Sequence, residues 1–128
     1  MRHSQKIGLQ GENAASKFLV KQGYEIVIRN YHSRFGEVDI IAQNEKNIIF
    51  VEVKTREKNT KFSAKEAVDV QKQKRIAKTA LLYLSEHHVN LQPRFDVIEV
   101  LVEKKSDLFI KINHIENAFY GVDFYEAF

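Results

Sequence analysis

The spacing of apolar residues predicts a helix at the start of the chain and strands after it. Within residues 4–22, apolar and small side chains recur at helical spacing on one arc: Ile7, Gly11, Ala14, Ala15, Phe18 and Leu19. Gly23 follows as the expected helix stop. Residues 24–29 have the composition of a strand, and the polar segment 30–35 is predicted to be a loop.

Two alternating runs, residues 37–42 and 48–54, are predicted to form an antiparallel hairpin. Only the short polar segment 43–47 separates them, which suits a tight connection. With the strand at 24–29, they make a three-stranded meander. Alternation in the second run places four side chains on one face of its strand: Ile48, Phe50, Glu52 and Lys54.

The register of this hairpin brings two carboxylates together. If the turn centres on residues 45 and 46, the numbers of opposite residues sum to 91, so Asp39 lies opposite Glu52. By the same arithmetic Glu37 lies opposite Lys54, with which it is expected to pair when no metal is bound. Opposed Cβ atoms in such a ladder are roughly 4.5 to 5.5 Å apart, close enough for both carboxylates to contact one ion.

A second helix is predicted from Ala64 to about His87. Its start is indicated by Ser63 and Glu66, which have the spacing of a capping box and can satisfy each other's free backbone donors. The apolar stripe of this helix is predicted to contain five residues: Ile76, Ala77, Ala80, Leu81 and Leu84.

The remaining elements complete a mixed sheet. The β-branched run 94–102 is predicted to be a buried fourth strand in which Asp96 has a structural role. Residues 104–107 are expected to form a turn, 108–112 a weaker fifth strand, and 116–119 a short helix or turn. The order α-β-β-β-α-β requires a parallel, right-handed crossover around the second helix, which gives an α/β fold with a mixed sheet.

Composition limits the class of protein further. A length of 128 residues predicts one domain over 1–128 with a sizeable core. No apolar stretch approaches the roughly 20 residues that span a bilayer, and the first residues do not resemble a signal peptide, so we expect a cytoplasmic protein without a membrane partner. The absence of cysteine excludes disulfides and thiolate chemistry. The sequence contains no glycine-rich phosphate loop, so we expect no nucleotide cofactor.

Asp39 and Glu52 are the candidate ligands of a metal ion. Two like charges this close, on strands otherwise made for a core, cost stability unless a cation lies between them. Hard oxygen ligands without nearby histidine or cysteine favour Mg²⁺, Mn²⁺ or Ca²⁺ over zinc. The alternative without a function for Glu52 and Lys54 is an ion pair on an edge strand that faces water.

Lys54 lies one pleat beyond Glu52 on the same face. An ammonium group there can orient or deprotonate an attacking water, or neutralise charge that grows on a phosphate in the transition state. The combination therefore predicts metal-assisted hydrolysis of a phosphodiester.

Positive charge is concentrated next to these residues. Between Lys54 and Lys78 there are nine basic and three acidic residues, so this segment carries +6 and the rest of the chain −3. A polyanion lying across the site would account for this asymmetry, whereas an ordinary solvated surface is the alternative. The expected nucleic-acid contacts are Arg56, Lys58, Gln71, Lys74, Arg75 and Lys78.

Laid out in this order, the chain resembles the PD-(D/E)xK nuclease superfamily, which includes restriction enzymes and archaeal Holliday-junction resolvases. The matching residues are Asp39 and the Glu52-Val53-Lys54 triplet. More narrowly, five separated segments resemble the bacterial YraN-like family of predicted endonucleases: GENAA (11–15), GEVDIIA (36–42), FVEVKTR (50–56), AVD (67–69) and RFDV (94–97).

The resemblance implies a restriction-endonuclease-like α-β-β-β-α-β core with a mixed sheet flanked by helices. It also implies that Asp39 and Glu52 hold Mg²⁺ or Mn²⁺ together with the Val53 carbonyl, that Lys54 assists the water, and that Glu12 reaches the same site directly or through water. The sequence departs from the motif in having Val38 where its name has proline.

The leading hypothesis is therefore a Mg²⁺- or Mn²⁺-dependent DNA endonuclease that reads shape rather than sequence. By likeness to resolvases, branched, Holliday-junction-like or flapped DNA is the expected substrate. The alternatives are a non-catalytic nucleic-acid-binding protein of the same fold that assists recombination or DNA uptake, and a nuclease that processes RNA. A homodimer is expected by the same likeness, with four C-terminal aromatics as its interface: Phe119, Tyr120, Phe124 and Tyr125.

Overall fold

Two helices and five strands make up the described part of the chain. The computed structural model describes residues 3–57, 68–103 and 109–119. In chain order the elements are α1 (His3–Lys21), β1 (Glu25–Ser33), β2 (Gly36–Gln43), β3 (Asn47–Glu57), α2 (Val70–His87), β4 (Gln92–Val102) and β5 (Phe109–Ile115).

The strands form one mixed sheet in the order β1-β2-β3-β4-β5. β3 and β4 are parallel, whereas the other neighbouring pairs are antiparallel. The predicted fold class is therefore confirmed. Alternate side chains of the strands enter two separate cores. The core on the α1 side contains Ala15, Leu19, Ile40, Ile49, Val51, Ile98 and Val100. The core on the α2 side contains Ile41, Phe50, Ile76, Ala80, Tyr83, Phe95 and Val97.

Helix α1 ends where the sequence predicts and approaches β3 very closely. Gly23 takes a left-handed φ of 94° and donates its N–H to the Val20 carbonyl at 3.0 Å, which satisfies one of the last carbonyls of the helix. At Gly11 there is no room for a side chain, since a Cβ would lie 2.0 Å from the Thr55 Oγ1 atom. This contact brings the next residue, Glu12, towards the sheet.

The hairpin register is confirmed, but the first strand is longer than predicted. Pairs from Ile40 with Val51 to Gln43 with Ile48 all follow the predicted sum. The prediction that 30–35 is a loop is wrong for its first part, because β1 continues to Ser33. Pairing with β2 down to Gly36 supplies the hydrogen bonds that hold these polar residues in a strand.

Strand β2 changes the direction of its side chains at Asp39. Ile40 packs in the α1-side core, yet Val38, two residues earlier, packs in the α2-side core. Their partners on β1 are Arg29 and Tyr31, and the residue between those partners, Asn30, has a left-handed φ of 54°. Asparagine tolerates this conformation, which breaks the alternation of a strand. Asp39 therefore lies where the regular ladder is interrupted.

Helix α2 begins later than predicted. It starts at Val70, and the Asp69 side chain caps it by accepting from the Lys72 N–H at 2.8 Å. The predicted start at Ala64 and its capping box of Ser63 and Glu66 lie outside the described residues, but Val68 and Asp69 are not helical, so no continuous helix runs from residue 64.

The apolar stripe of α2 is partly as predicted. Ile76, Ala77 and Ala80 are buried, while Leu81 and Leu84 only flank the core. The helix also buries Thr79 and Tyr83. Both carry a hydroxyl group, so a search for apolar residues alone does not assign them to the stripe. Its end at His87 agrees with the prediction.

The C-terminal elements bury Phe119, one of the four aromatics proposed for the dimer interface. Strands β4 and β5 both extend beyond the predicted ranges, and residues 116–119 form a turn rather than a helix. Phe119 is 7% exposed and stacks on Phe95 with ring centroids 5.2 Å apart, so it belongs to the core and not to an interface. Tyr120, Phe124 and Tyr125, like the predicted turn at 104–107, lie outside the described residues.

Asp96 supports the sheet from β4, between β3 and the edge strand β5. It is fully buried and accepts hydrogen bonds from Arg94 at 2.8 Å, His114 at 2.7 Å and the Asn117 N–H at 3.1 Å. Burial alone would raise the pKa of this carboxyl, but the bonds from His114 and Arg94 outweigh burial and hold the pKa below its usual value. The group is satisfied on all sides, as a structural role requires.

Neither described helix combines the length and the hydropathy that crossing a membrane demands.

We expect Gly11→Ala to destabilise the protein. Alanine favours a helix over glycine by about 1 kcal/mol, but the contact with Thr55 forces a shift that costs about 1–3 kcal/mol. Gly11→Ala is expected to lower the midpoint of urea unfolding. Thr55→Ala removes the atom that the new Cβ would meet, so Gly11→Ala should be neutral or stabilising in the Thr55→Ala background. An unchanged midpoint in the single variant would contradict the packing described.

Candidate active site

The candidate site forms where the β2–β3 ladder ends. The last regular pair is Ile40 with Val51, and beyond it the Asp39 carboxylate replaces a backbone partner by accepting from the Val53 N–H at 2.7 Å. The adjacent Glu52 is only 6% exposed, on the central strand of the sheet. The charge of Glu52 influences Asp39, so the two carboxylates lie near each other, although the ladder does not pair residues 39 and 52.

Two ammonium groups contact the same oxygen of Glu52. Lys54 Nζ lies 3.4 Å and Lys72 Nζ 2.5 Å from Glu52 Oε1. Lys54 comes from the same strand, as predicted, whereas Lys72 comes from the first turn of α2. A nearly buried carboxylate requires such partners, because an unpaired one costs several kcal/mol.

The surroundings of Asp39 disfavour its negative charge. Burial raises the pKa of the Asp39 carboxyl to about 7, and the nearby Glu52 and Glu12 carboxylates contribute in the same direction. The Val53 N–H and Lys72 oppose the shift without cancelling it. A further positive charge at this position would therefore stabilise the ionised form.

The two lysines are affected in opposite directions. Burial lowers the pKa of Lys54; Glu52 opposes this shift and the neighbouring Lys72 adds to it. For Lys72, burial alone would lower the pKa, but its hydrogen bond to Glu52 and their attraction outweigh burial and raise it. Lys54 is therefore the better placed of the two to exchange a proton, and Lys72 the more firmly charged.

Glu12 lies at the edge of the site rather than in its centre. Its carboxylate acts on Asp39 through the electrostatic field, but its ion pair is with Arg29 of β1, at 3.6 Å. Arg29 also donates to the Asn13 side chain at 2.7 Å. The contact between Gly11 and Thr55 holds this part of α1 against the sheet.

Glu37 does not pair with Lys54 as the register suggested. It is exposed and lies 3.2 Å from the ring of His32 on the neighbouring strand. The regular ladder ends before it can bring Glu37 to β3, which is why extrapolation of the register fails there.

The donor set fits a hard divalent cation, although it is small. The described residues contain no group of three or more histidine, cysteine, aspartate or glutamate side chains placed to bind a metal. They do contain the Asp39 and Glu52 oxygens, with ammonium groups already at Glu52. Carboxylate oxygens are the ligands that Mg²⁺ and Mn²⁺ prefer. The contact shown for Val53 is through its N–H, so its carbonyl remains a predicted ligand.

The residues expected to contact nucleic acid occupy two places. Gln71, Lys74 and Arg75 are exposed on α2, and the half-buried Lys78 lies 5.7 Å from the centre of the Phe35 ring. Arg56, at the end of β3, has a buried Nε atom with no hydrogen-bond partner among the described residues. Lys58 lies outside the described residues.

Lys72 and Arg34 are not among the site residues that the sequence predicts. Lys72 precedes the buried Ile76 by four residues and so falls on the stripe of α2 that faces the sheet. A lysine at a core-facing position was the available signal. Arg34 lies over the Phe35 ring at 4.9 Å and adds positive charge at the β1–β2 turn, but nothing in the alternating pattern marks it.

Together, the sheet order, the two flanking helices and the charged groups on β2 and β3 define an α/β protein with a nuclease-like α-β-β-β-α-β core. Within this class, the model of Uncharacterised protein family UPF0102 matches residues 11–100. The chain belongs to this family, which is the YraN-like group indicated by the sequence motifs.

Relatives from three organisms match over almost their whole length. A UPF0102 protein of Syntrophomonas wolfei is 45% identical over 91% of this chain and 99% of its own. UPF0102 protein TTE1452 of Caldanaerobacter subterraneus is 43% identical over 88% and 93%, and a UPF0102 protein of Parabacteroides distasonis is 40% identical over 94% and 98%. Their names give the family and no activity.

We expect Asp39→Asn to stabilise the protein at alkaline pH. Because the pKa of folded Asp39 lies above the ordinary value of about 4, ionising this group costs stability as pH rises from about 4 to about 7. Asparagine keeps an acceptor for the Val53 N–H and removes the charge. Urea unfolding with a chelator present is therefore expected to show a gain of about 1–3 kcal/mol at pH 8 that disappears near pH 4.

The control for this experiment is Glu45→Gln in the exposed β2–β3 turn, which removes a carboxylate of the same hairpin away from the site. It is expected to change stability little at either pH. A gain in Asp39→Asn that is the same at both pH values, or a loss at pH 8, would contradict the electrostatics described.

Proposed function

We propose that this protein is a metal-dependent nuclease that hydrolyses the phosphodiester bonds of DNA. The observation that carries the proposal is the position of Glu52: a carboxylate 6% exposed on the central strand, beside Asp39 and in contact with Lys54. A strand built for stability alone would bury an aliphatic side chain there. The raised pKa of Asp39 and the lowered pKa of Lys54 beside this carboxylate favour chemistry over packing.

In this proposal Asp39 and Glu52 hold Mg²⁺ or Mn²⁺, with the Val53 carbonyl as a further ligand and Glu12 in reach through water. The ion, when bound, polarises a phosphate oxygen and lowers the pKa of water. The Val53 N–H fixes the orientation of Asp39, and burial excludes the water that would screen its charge.

Lys54 acts on the attacking water or on the phosphate. Its Nζ atom is held 3.4 Å from Glu52, so its reach is restricted to the neighbourhood of that carboxylate. A lowered pKa allows it to accept a proton from water at a pH where an ordinary lysine stays charged. In its charged form it would neutralise negative charge that develops on the phosphate.

The basic surface beside the site supports a nucleic-acid substrate. Lys74, Arg75 and Lys78 lie on the helix that supplies Lys72, and Arg34 lies at the nearby turn. Contacts of this kind bind the phosphate backbone without reading sequence. A preference for branched, Holliday-junction-like or flapped DNA rests on likeness to resolvases. A cytoplasmic location fits a substrate of this kind.

A second candidate is a nucleic-acid-binding protein of the same fold that does not cut. One observation favours it: both ammonium groups contact Glu52, so this carboxylate is already neutralised without a metal. Such a protein would bind DNA in a salt-dependent way through α2 and would be indifferent to Asp39→Asn. A nuclease that processes RNA would use the same site and would differ from the proposed enzyme only in its substrate.

The proposal is tested by incubating the protein with labelled four-way junction, flap, duplex and single-stranded DNA, and with RNA, in the presence of Mn²⁺. We expect cleavage of DNA that falls at least about 100-fold in Glu52→Gln and in Lys54→Met, since each removes a group that acts on the reacting atoms. The matched controls, Glu45→Gln and Lys46→Met in the exposed turn of the same hairpin, should cut at the wild-type rate.

Equal cleavage by wild type and by both site variants would point to a contaminating enzyme and refute the proposal. Binding of DNA without cleavage of any substrate, unaffected by Asp39→Asn, would favour the non-catalytic protein instead.

A further inference from the structure

A cleft opens next to the candidate site, between the end of the β1–β2 hairpin and the first turns of α2. Its volume is about 450 Å³, within the range that accommodates small organic ligands. His32, Ser33 and Glu37 line the hairpin side, and Lys72, Arg75 and Ile76 line the helix side. The helix wall thus presents two positive charges, whereas Glu37 is the acidic group among the described lining residues and lies 3.2 Å from the His32 ring.

The walls of this cleft are held in place by direct contacts. The Ser33 hydroxyl bonds the buried Thr79 hydroxyl at 2.8 Å, which joins the hairpin to α2. Gly36 lies so close to the helix that a Cβ on it would be 3.3 Å from the Cβ of Arg75. The cleft is therefore formed in advance, as expected of a site that binds a ligand without rearranging its backbone.

Lys72 belongs to both the cleft and the candidate active site. Its side chain lines the cleft and its ammonium group donates to Glu52. At 38% exposure its side chain remains open to a ligand in the cleft. The flexible lysine stem allows the ammonium group to turn from the carboxylate towards the cleft without movement of the helix.

Binding a divalent cation at Glu52 costs free energy while the Lys72 ammonium group still contacts that carboxylate. With Lys54 and Lys72 both at this carboxylate, a cation adds further positive charge, and like charges a few ångströms apart in a site this buried repel each other strongly. Binding of metal at Glu52 is therefore weakened for as long as Lys72 stays there. A phosphate in the cleft offers Lys72 an alternative partner of the same charge as the carboxylate.

We propose that Lys72 is an exchangeable counterion that couples phosphate binding in the cleft to metal binding at Glu52. With the cleft empty, it neutralises Glu52. When a nucleic-acid phosphate enters between Lys72 and Arg75, Lys72 turns to it and leaves Glu52 to the cation. The inference deepens the proposed function and rests on it in taking a nucleic-acid phosphate as the ligand. Its consequence is that metal and nucleic acid bind cooperatively.

The test uses thymidine 3′,5′-bisphosphate, a nucleotide with two phosphates and no phosphodiester linkage to cut. Calorimetry measures the affinity of the whole protein for Mn²⁺ with and without saturating nucleotide, after the nucleotide's own binding of Mn²⁺ has been measured in a blank titration. We expect the nucleotide to tighten Mn²⁺ binding about tenfold, a usual size for such coupling. By linkage, Mn²⁺ should tighten nucleotide binding by the same factor.

Lys72→Met separates this role from direct contact between metal and phosphate. In this variant we expect Mn²⁺ to bind about tenfold more tightly without nucleotide, because Glu52 has lost its competing partner, and the coupling to disappear. Lys46→Met removes the same charge from the exposed β2–β3 turn, away from the cleft, and should behave like the wild type. Far-ultraviolet circular dichroism checks that both variants are folded.

Several results would overturn the inference. These are equal Mn²⁺ affinity of the wild type with and without nucleotide, coupling that persists in Lys72→Met, and Mn²⁺ binding in that variant no tighter than in the wild type. Because the wild-type titrations stand without any variant, a misfolded Lys72→Met leaves the first criterion in force. Coupling without cleavage of DNA in the nuclease assay would refute the proposed function and leave this inference standing.

Discussion

The structure of the site depends on keeping one carboxylate nearly buried on the central strand of the sheet. Glu52 is 6% exposed, and removing such a group from water is tolerable only with charged partners in contact. Lys54 supplies one from the same strand, and Lys72 supplies another from α2. The first turn of α2 is thereby tied to β3. The basic face of that helix comes to lie beside the carboxylates as a consequence of this pairing.

The second constraint is the irregularity at Asp39. A regular ladder would pair residue 39 through its backbone, but here the ladder stops at Ile40 and the side chain binds the Val53 N–H instead. The left-handed Asn30 on the neighbouring strand accompanies this change. The local loss of sheet regularity fixes a carboxylate next to Glu52, and both helices approach the same point, one with Glu12 and the other with Lys72.

Much of this arrangement could be predicted from the sequence, because alternation and a short turn fix the hairpin register. Asp39, Glu52 and Lys54 were placed together for that reason. The position of Lys72 is not predictable in this way, since the direction of its side chain depends on how α2 packs against the sheet. The start of α2 at Val70 is also obscured by the capping pattern of Ser63 and Glu66 upstream. The extrapolation to Glu37 failed because alternation cannot reveal where a ladder stops.

The two neighbours of β3 hold it very unequally. It pairs with β4 along its whole length, from Asn47 to Glu57, but with β2 only from Ile48 to Val51. The strand that carries Glu52, β3, is therefore held firmly by β4. The strand that carries Asp39, β2, is held to β3 over a much shorter length. Under the proposed function, any adjustment to the radius of a bound ion would therefore fall on β2, because β4 holds β3 along its whole length.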